Sequence, residues 1–573
     1  MSLRRRIPRH RWVVSLAMVL GVACTPHQPE LSSDPATLRV GIPTAPQTFN
    51  PLMVRDLVSA ELARQLHASL VRIDLSTQRV EPMLAERWEL SEPGRTLTMW
   101  LRPGVRFSDG DDFDATDVTF TMGLLSDGSI PSQFASNLQV RGRPIEVEAL
   151  DDLVVEFRFP SPVADAARLF SDIGILPSHL LEGAESLDDS LGIGSEPVDV
   201  VGLGPFRLDS HEAGQRTTLV PNPHYWGQRA DPPRPKLVGV VFEVVPDAQT
   251  NLLRLQAGEL DVVERLSPDS FSALVRDEAL AAEIRDIGPG LTSERLWLNL
   301  NPAAPVAQSK KRWFSRSAFR RALSLAIDRD GLARVVYQGY ATPASGSVSP
   351  ANRFWADPKA EPRAQDLEQA RALLEGAGFE RTDGGPLTDS AGEPVRFRLM
   401  TSPSPTRQRS AAFVQDDLAQ LGIVVDLVVL EGAGLMARIL GDYDYDACLL
   451  GIAQLDPDPS AELPIWLSSG QLHVWNPGQA TPATAWEKEL DELMIQQMST
   501  LDLELRQRLY HDVQAVLGRQ LPVIDLVYPH VLYGADPRVE GLIPTPFGSV
   551  LWNLEEISLA GGQTPGAGLI LSP

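Results

Sequence analysis

The sequence predicts an α/β protein of two lobes with mixed sheets, and three observations predict it. The chain has 573 residues, several times the roughly 100–150 of one domain, so a single compact core is excluded. Segments with two-residue alternation, at 96–101 and 153–159, are interleaved with segments of helical period. An amphipathic stretch at 413–421 stops at Gly422 and runs at once into the β-branched segment 423–430, the succession of an α/β unit. Hydrophobic residues are 43% and charged residues 22%, ordinary for a folded soluble chain. The 47 Pro and 43 Gly demand many loops, which disfavours a helical bundle. No repeat of about 20–50 residues is present, which removes solenoids and propellers.

The elements follow in chain order. Arg4, Arg5, Arg6, Arg9 and Arg11 precede an apolar stretch at 12–23, and Cys24 follows. A basic start, a short apolar run and small residues at its end form a secretory signal. Leu20-Gly21-Val22-Ala23-Cys24 resembles a bacterial lipobox, departing from it at Gly21, where Leu is usual. The resemblance implies cleavage after 1–23, acylation of Cys24 and a Pro- and Ser-rich tether at 24–36. The alternative is a plain cleaved signal with an incidental cysteine. Asp114 is the expected N-cap of a helix beginning at Ala115. A helical stripe over 315–336 places Phe319, Leu323, Ile327 and Val335 on one face. Leu367, Ala370, Leu373 and Leu374 form another, with Gly376 and Gly378 as stop signals. Further helices are expected around 486–498 and 503–517, and 560–573 as a loose tail.

Composition excludes more than it names. The net charge of −24 repels phosphate backbones, so nucleic acid is not an expected partner. Lys310-Lys311-Arg312 reads as a solvated face. With Cys24 and Cys448 the only cysteines, neither a disulfide framework nor a cysteine-based zinc site is available. Cys448 lies in an apolar run and reads as a small core residue. No two of the nine histidines stand at helical i, i+4 spacing, and His211-Glu212 meets Gln215 where a zinc protease needs its second ligand. A Gly-x-Ser-x-Gly elbow and a Gly-Lys-Ser/Thr phosphate loop are both missing. Gly202-Leu203-Gly204 lacks the third glycine of a dinucleotide turn and reads as a connection where backbones approach closely. No metal or other cofactor is therefore expected. Paired carboxylates among 75 acids leave a hydrolase open, since their geometry is three-dimensional.

Several segments, in order, resemble the extracytoplasmic solute-binding proteins of peptide-type ABC importers, family 5. They are Met83-Leu84-Ala85-Glu86-Arg87-Trp88-Glu89, Leu101-Arg102-Pro103-Gly104-Val105-Arg106-Phe107-Ser108-Asp109-Gly110 and Asp114-Ala115-Thr116-Asp117-Val118. Gly202-Leu203-Gly204-Pro205-Phe206, Pro221-Asn222-Pro223-His224-Tyr225-Trp226 and Gly258-Glu259-Leu260-Asp261 follow. Phe319-Arg320-Arg321-Ala322-Leu323-Ser324-Leu325-Ala326-Ile327-Asp328-Arg329, Leu421-Gly422-Ile423 and Asp456-Pro457-Asp458-Pro459 complete the series. The resemblance implies a class II periplasmic-binding-protein clamshell of two lobes built from three domains. Domain I would comprise 37–70, 201–290 and 522–559, domain II 71–200, and domain III 291–521. It further implies capture of a peptide or peptide-like small solute, delivery to an ABC permease, a membrane-anchored extracytoplasmic location and a monomer without catalysis. The readings held beside it are a carboxylate-based hydrolase, and a chaperone or sensor on the same fold.

The same resemblance nominates ligand residues. Phe49 and Asn50 stand where domain I meets the cleft, and Trp297 and Asn299 where domain III begins. Trp466, with Trp226 and Trp475, offers indoles for ligand packing, against the alternative of core. Gln454, Leu455 and Asp456 occupy the segment in which peptide-binding relatives carry an Asp against the ligand's α-ammonium. Leu455 aligns with that Asp, and a buried Leu does not compensate a buried ammonium. A ligand with a neutral or capped end is the expectation there, with Asp456 and Asp458 the next acids to consider or else turn formers.

Overall fold

A single strand, Val523–Ala535, organises the molecule. In the computed structural model it belongs to a twelve-stranded sheet and pairs with strands on both sides of the chain's midpoint. The structure describes residues 36–561, apart from 128–129, 131, 141, 184–186, 188–190, 278–281, 383 and 453–455 and the side chains of 133, 136 and 137. The expected signal, the Cys24 anchor, the tether before Ala36, the tail after Gly561, and Gln454 and Leu455 lie outside the described residues.

The first half of the long strand is antiparallel to Glu294–Leu298, with Val523 opposite Trp297. Beyond Glu294–Leu298 lie Ala447–Leu449, Arg396–Thr401 and Val424–Val429, the last two pairs parallel. The second half pairs with Glu283–Pro289 and Val262–Val263. From there the sheet continues through Thr37–Ile42, Gly239–Val244, Arg216–Pro221 and Phe206–Glu212. Residues 522–528, expected to open domain I, pair with Glu294–Leu298 and Ala341–Pro343, and from His530 onward the strand pairs with Glu283–Pro289. A separate antiparallel sheet of Ala85–Leu90, Thr96–Leu101, Val154–Arg158 and Glu146–Asp151 extends the N-terminal lobe. Its inward residues Leu97, Met99, Val155 and Phe157 join the same core as Leu38, Val40 and Phe242. The C-terminal lobe has its own cores, one around Leu296, Phe319, Leu399 and Ile524, the other around Trp297, Trp466 and Val513.

Local chemistry sets the helices. Asp114 caps Ala115–Ser126, and Asp117 returns the bond to the Asp114 amide, completing a capping box. Gly422, at φ +82°, ends the turn after helix Pro405–Ala419 and admits Val424–Val429. Helices Ala485–Met498 and Leu503–Gln520 stand where the pattern placed them. The stripe over 315–336, however, is two helices, Ser317–Ala326 and Arg329–Val335. Asp328 divides them: its carboxylate accepts the Gly331 amide and its own amide donates to Asp417. The break rotates the second helix, and Val335 is left 62% exposed rather than on the buried face.

The glycines of Gly202-Leu203-Gly204 act as expected. A Cβ on Gly204 would stand 2.2 Å from the Gln65 carbonyl oxygen, and one on Gly202 2.1 Å from that of Leu66. The Gly204 amide uses this proximity to donate to Leu66 O at 3.0 Å. Gly202 also exchanges bonds with Ser108 of the Arg102–Gly110 loop. Two motif segments thereby clasp the end of helix Leu57–Leu66. Gly204→Ala should cost about 2–3 kcal/mol by overpacking against rigid backbone. Gly123→Ala, where a Cβ meets nothing within 4 Å in a helix interior, should instead add about 0.5–1 kcal/mol. Urea unfolding of both variants checks the contrast.

Candidate functional site

Where the long strand crosses between lobes, the protein encloses a cavity of about 530 Å³. That size lies within the roughly 300–1,000 Å³ of small-ligand sites. Helix Leu57–Leu66 supplies one wall, begun by Asp56, whose side chain accepts the Val58 and Ser59 amides. Leu57, Val58, Glu61, Arg64 and Gln65 face the cavity, while Leu62 and Leu66 enter the core. The 3.6-residue period therefore divides this helix into a structural and a ligand-facing side. The turn after strand Val262–Val263 adds Glu264 and Arg265, and the latter sits in the left-handed region at φ +54°. The C-terminal lobe contributes Thr292, Glu294, Arg407 and Gly451.

The charges on these walls are mostly paired. Arg407 grips Glu294 through Nε and Nη2 at 2.9 and 2.7 Å, a fork across which both lobe-facing elements are fixed. Arg72 donates to Glu555 at 2.6 Å, and His530 meets Asp286 at 2.9 Å. Glu61 differs: burial and the neighbouring Glu264 push its carboxyl above the usual carboxylate range, against the opposing pull of Arg64 and of a hydrogen bond from Gln65. His67, also on the wall, holds its Nε2 3.0 Å from the Phe49 carbonyl, so Nε2 carries the proton. Burial lowers its pKa from 6.5 to about 4, and the imidazole is neutral.

The residues nominated from sequence lie elsewhere. Phe49 is buried with its ring edge-on to His211, and Asn50 accepts the Leu52 amide inside the core. Trp297 stacks on Trp475, and its indole N–H donates to Leu450 O at 2.8 Å. Asn299 ties down the carbonyls of Tyr443 and Tyr445. Trp466 donates to Glu462 at 2.6 Å. None of these five lines the cavity; Trp297, Asn299 and Trp466 spend their side-chain donors on bonds within the protein. Trp226 is likewise outside it, beneath the Arg102 guanidinium. Asp456 bonds Arg168 at 2.8 Å, joining the two lobes, and Asp458 takes a bidentate fork from Arg506. Cys448 is fully buried, as its apolar run suggested. Among the described residues no cluster of three metal-ligating side chains occurs, and no helix is long and apolar enough to cross a membrane. Glu61, Glu264, Glu294 and Arg407 were missed by sequence reasoning. They belong to no quoted motif, and Glu61 with Arg64 reads in sequence as an ordinary solvated helix face.

Two lobes that share one long strand, with a ligand-sized cavity lined by both, are the architecture of a solute-binding protein. The chain belongs to family 5 of the bacterial extracellular solute-binding proteins: the model for "Bacterial extracellular solute-binding proteins, family 5 Middle" matches residues 79–473. It is 29% identical over 521 residues to the probable ABC transporter periplasmic-binding protein SapA of Escherichia coli K12, covering 88% of this chain and 89% of that one. It is 26% identical over 523 residues to the dipeptide-binding protein of the same organism, covering 88% and 91%. Among solved structures it resembles the oligopeptide-binding protein AppA of Bacillus subtilis in complex with a nonapeptide. The TM-score is 0.76 at 25% identity, over 91% of this chain and 99% of that one. Family members are substrate-binding transport proteins rather than enzymes, and they work outside the cytoplasm.

Neutral His67 and His473, both with pKa values lowered to about 4 by burial, give stability a defined pH dependence. Below pH 6.5 the unfolded chain binds protons that the folded one refuses, so stability falls as pH drops from 6.5 toward 4. Each histidine contributes a slope approaching about 1.4 kcal/mol per pH unit. Asp456, raised to about 6 by burial, acts in the opposite sense below that pH. Urea titrations of the wild type and His67→Gln between pH 7.5 and 4.5 check this: the variant should lose less stability on acidification than the wild type.

Proposed function

We propose that the chain captures a short peptide or peptide-like solute in the cavity between its lobes and delivers it to an ABC permease. The observation that carries this reading is the cavity of about 530 Å³ lined by both lobes and their crossing, with apolar walls and a few buried charges. Both lobes contribute side chains, so ligand stabilises their mutual approach, and a permease distinguishes loaded from empty protein by that geometry. Relatives named for dipeptide and oligopeptide binding support the solute class. The protein acts without catalysis and as a single chain. Native mass spectrometry of the purified full chain should find a peptide-sized ligand bound and released intact on denaturation. Hydrolysis of the released ligand by fresh protein would overturn the binding reading in favour of a carboxylate-based hydrolase.

We further propose that acylated Cys24 holds the protein at a membrane, supported by the basic and apolar run before it. Two or three acyl chains, at about 0.8 kcal/mol per buried CH₂, suffice for stable anchoring. Cys24→Ser should move the protein from the membrane to the soluble fraction. A wild-type chain already soluble, starting at another residue, would refute the anchor.

A further inference from the structure

Resting on that reading of the cavity, we propose that Glu61 and Glu264 receive a primary ammonium group of the ligand. The acid expected in the segment at 454–456 is not available for this role. Asp456 is engaged by Arg168, and Asp458 by Arg506. Two acids on the opposite lobe are differently placed. Glu264 follows strand Val262–Val263, and its Oε1 is fixed by the Ser549 hydroxyl at 2.6 Å and the Val550 amide at 2.7 Å. Among the described residues its other oxygen has no protein donor, and the residue lines the cavity. Glu61 is only 6% exposed. Its Oε1 accepts from Gln65 at 3.0 Å, while its Oε2 has no hydrogen-bond donor.

The charge balance is equally uneven. The cation near Glu61 is Arg64, at 3.8 Å and shared with Asp172 at 3.6 Å. Arg265, next to Glu264 in the chain, forms no ion pair with either glutamate among the described residues. Arg407 and Arg72 are held by Glu294 and Glu555. Glu61 thus has one partly exposed guanidinium at 3.8 Å and Glu264 no ion pair among the described residues, and a buried carboxylate without a full partner is costly. A –NH₃⁺ group offers three donors and one positive charge. It matches the buried, donor-free Oε2 of Glu61, the second oxygen of Glu264 and the remaining acceptor lone pairs of Ser549. The ammonium is then bound by the N-terminal lobe and its crossing, which reverses the expectation of a neutral end drawn from Leu455.

The test equilibrates the full chain with a pool of tri- to pentapeptides, each present with a free and with an N-acetylated amino terminus. Retained peptides are quantified by mass spectrometry. The wild type should retain free-amine forms over their acetylated twins by at least about tenfold, the scale of one charge-assisted hydrogen bond. Glu264→Gln and Glu61→Gln, each checked for folding by thermal unfolding, should bring the ratio below about threefold. Glu264→Gln is the decisive variant if Glu61→Gln fails to fold, because Glu264 is less buried. Peptides retained without amine preference, or a preference unchanged in Glu264→Gln, would overturn this assignment and leave the peptide reading standing. A pool from which nothing is retained would overturn both.

Discussion

The carboxylate of Asp525 is the point on which the two-lobed structure depends. It sits on the strand that both lobes share and accepts from Arg295 Nε at 2.7 Å, from Ser347 at 2.9 Å and from Ser293 at 3.1 Å. Arg295 in turn donates to the Ser347 carbonyl, and Arg329 to the carbonyl of Asp525 itself. Burial lowers the pKa of Arg295, and the adjacent Asp525 more than offsets this and raises it above the ordinary value. Removing one partner of such a pair costs about 3–5 kcal/mol, because the other is left buried and uncompensated. The strand is therefore fixed in the C-terminal lobe, while its far half is free to define where the N-terminal lobe hangs.

This anchoring explains the tryptophans. Trp466 and Trp297 stand with their rings 5.2 and 5.8 Å from the Arg295 guanidinium, within range of a cation–π contact. Their indoles pack against the arginine that holds the crossing strand. The arginines of the segment at 319–329 have a similar office. Arg320 caps the carbonyls of Gln520 and Leu521 at the end of the longest helix, and Arg329 bonds the long strand. These charged groups thus tie separate chain segments to one another.

The cavity follows from the same crossing. Its N-terminal wall depends on helix Leu57–Leu66, whose end is clasped by Gly202 and Gly204, and these in turn by the loop holding Ser108. Its C-terminal wall depends on the Arg407–Glu294 fork. Most wall charges are neutralised within the protein, and among its acids Glu61 and Glu264 are the less fully paired.

By itself the sequence determined the α/β class, most helix limits, the close approach at Gly202 and Gly204 and the family to which the chain belongs. These rest on local rules: hydrophobic period, capping carboxylates such as Asp114, glycines that tolerate what a Cβ would forbid, and short motifs read in order. It did not decide whether Phe49, Trp297 and Trp466 face a core or a cleft, because an aromatic residue looks the same in sequence in either place. It read 315–336 as one helix because a hydrophobic period does not register that Asp328 will cap the next turn. The function of Asp456, joined to Arg168 across 288 positions, and the meeting of Glu61 with Glu264 across about 200, were decided only by tertiary structure. Long-range pairing of charges is set by which elements the shared strand brings together, and no local pattern carries that information.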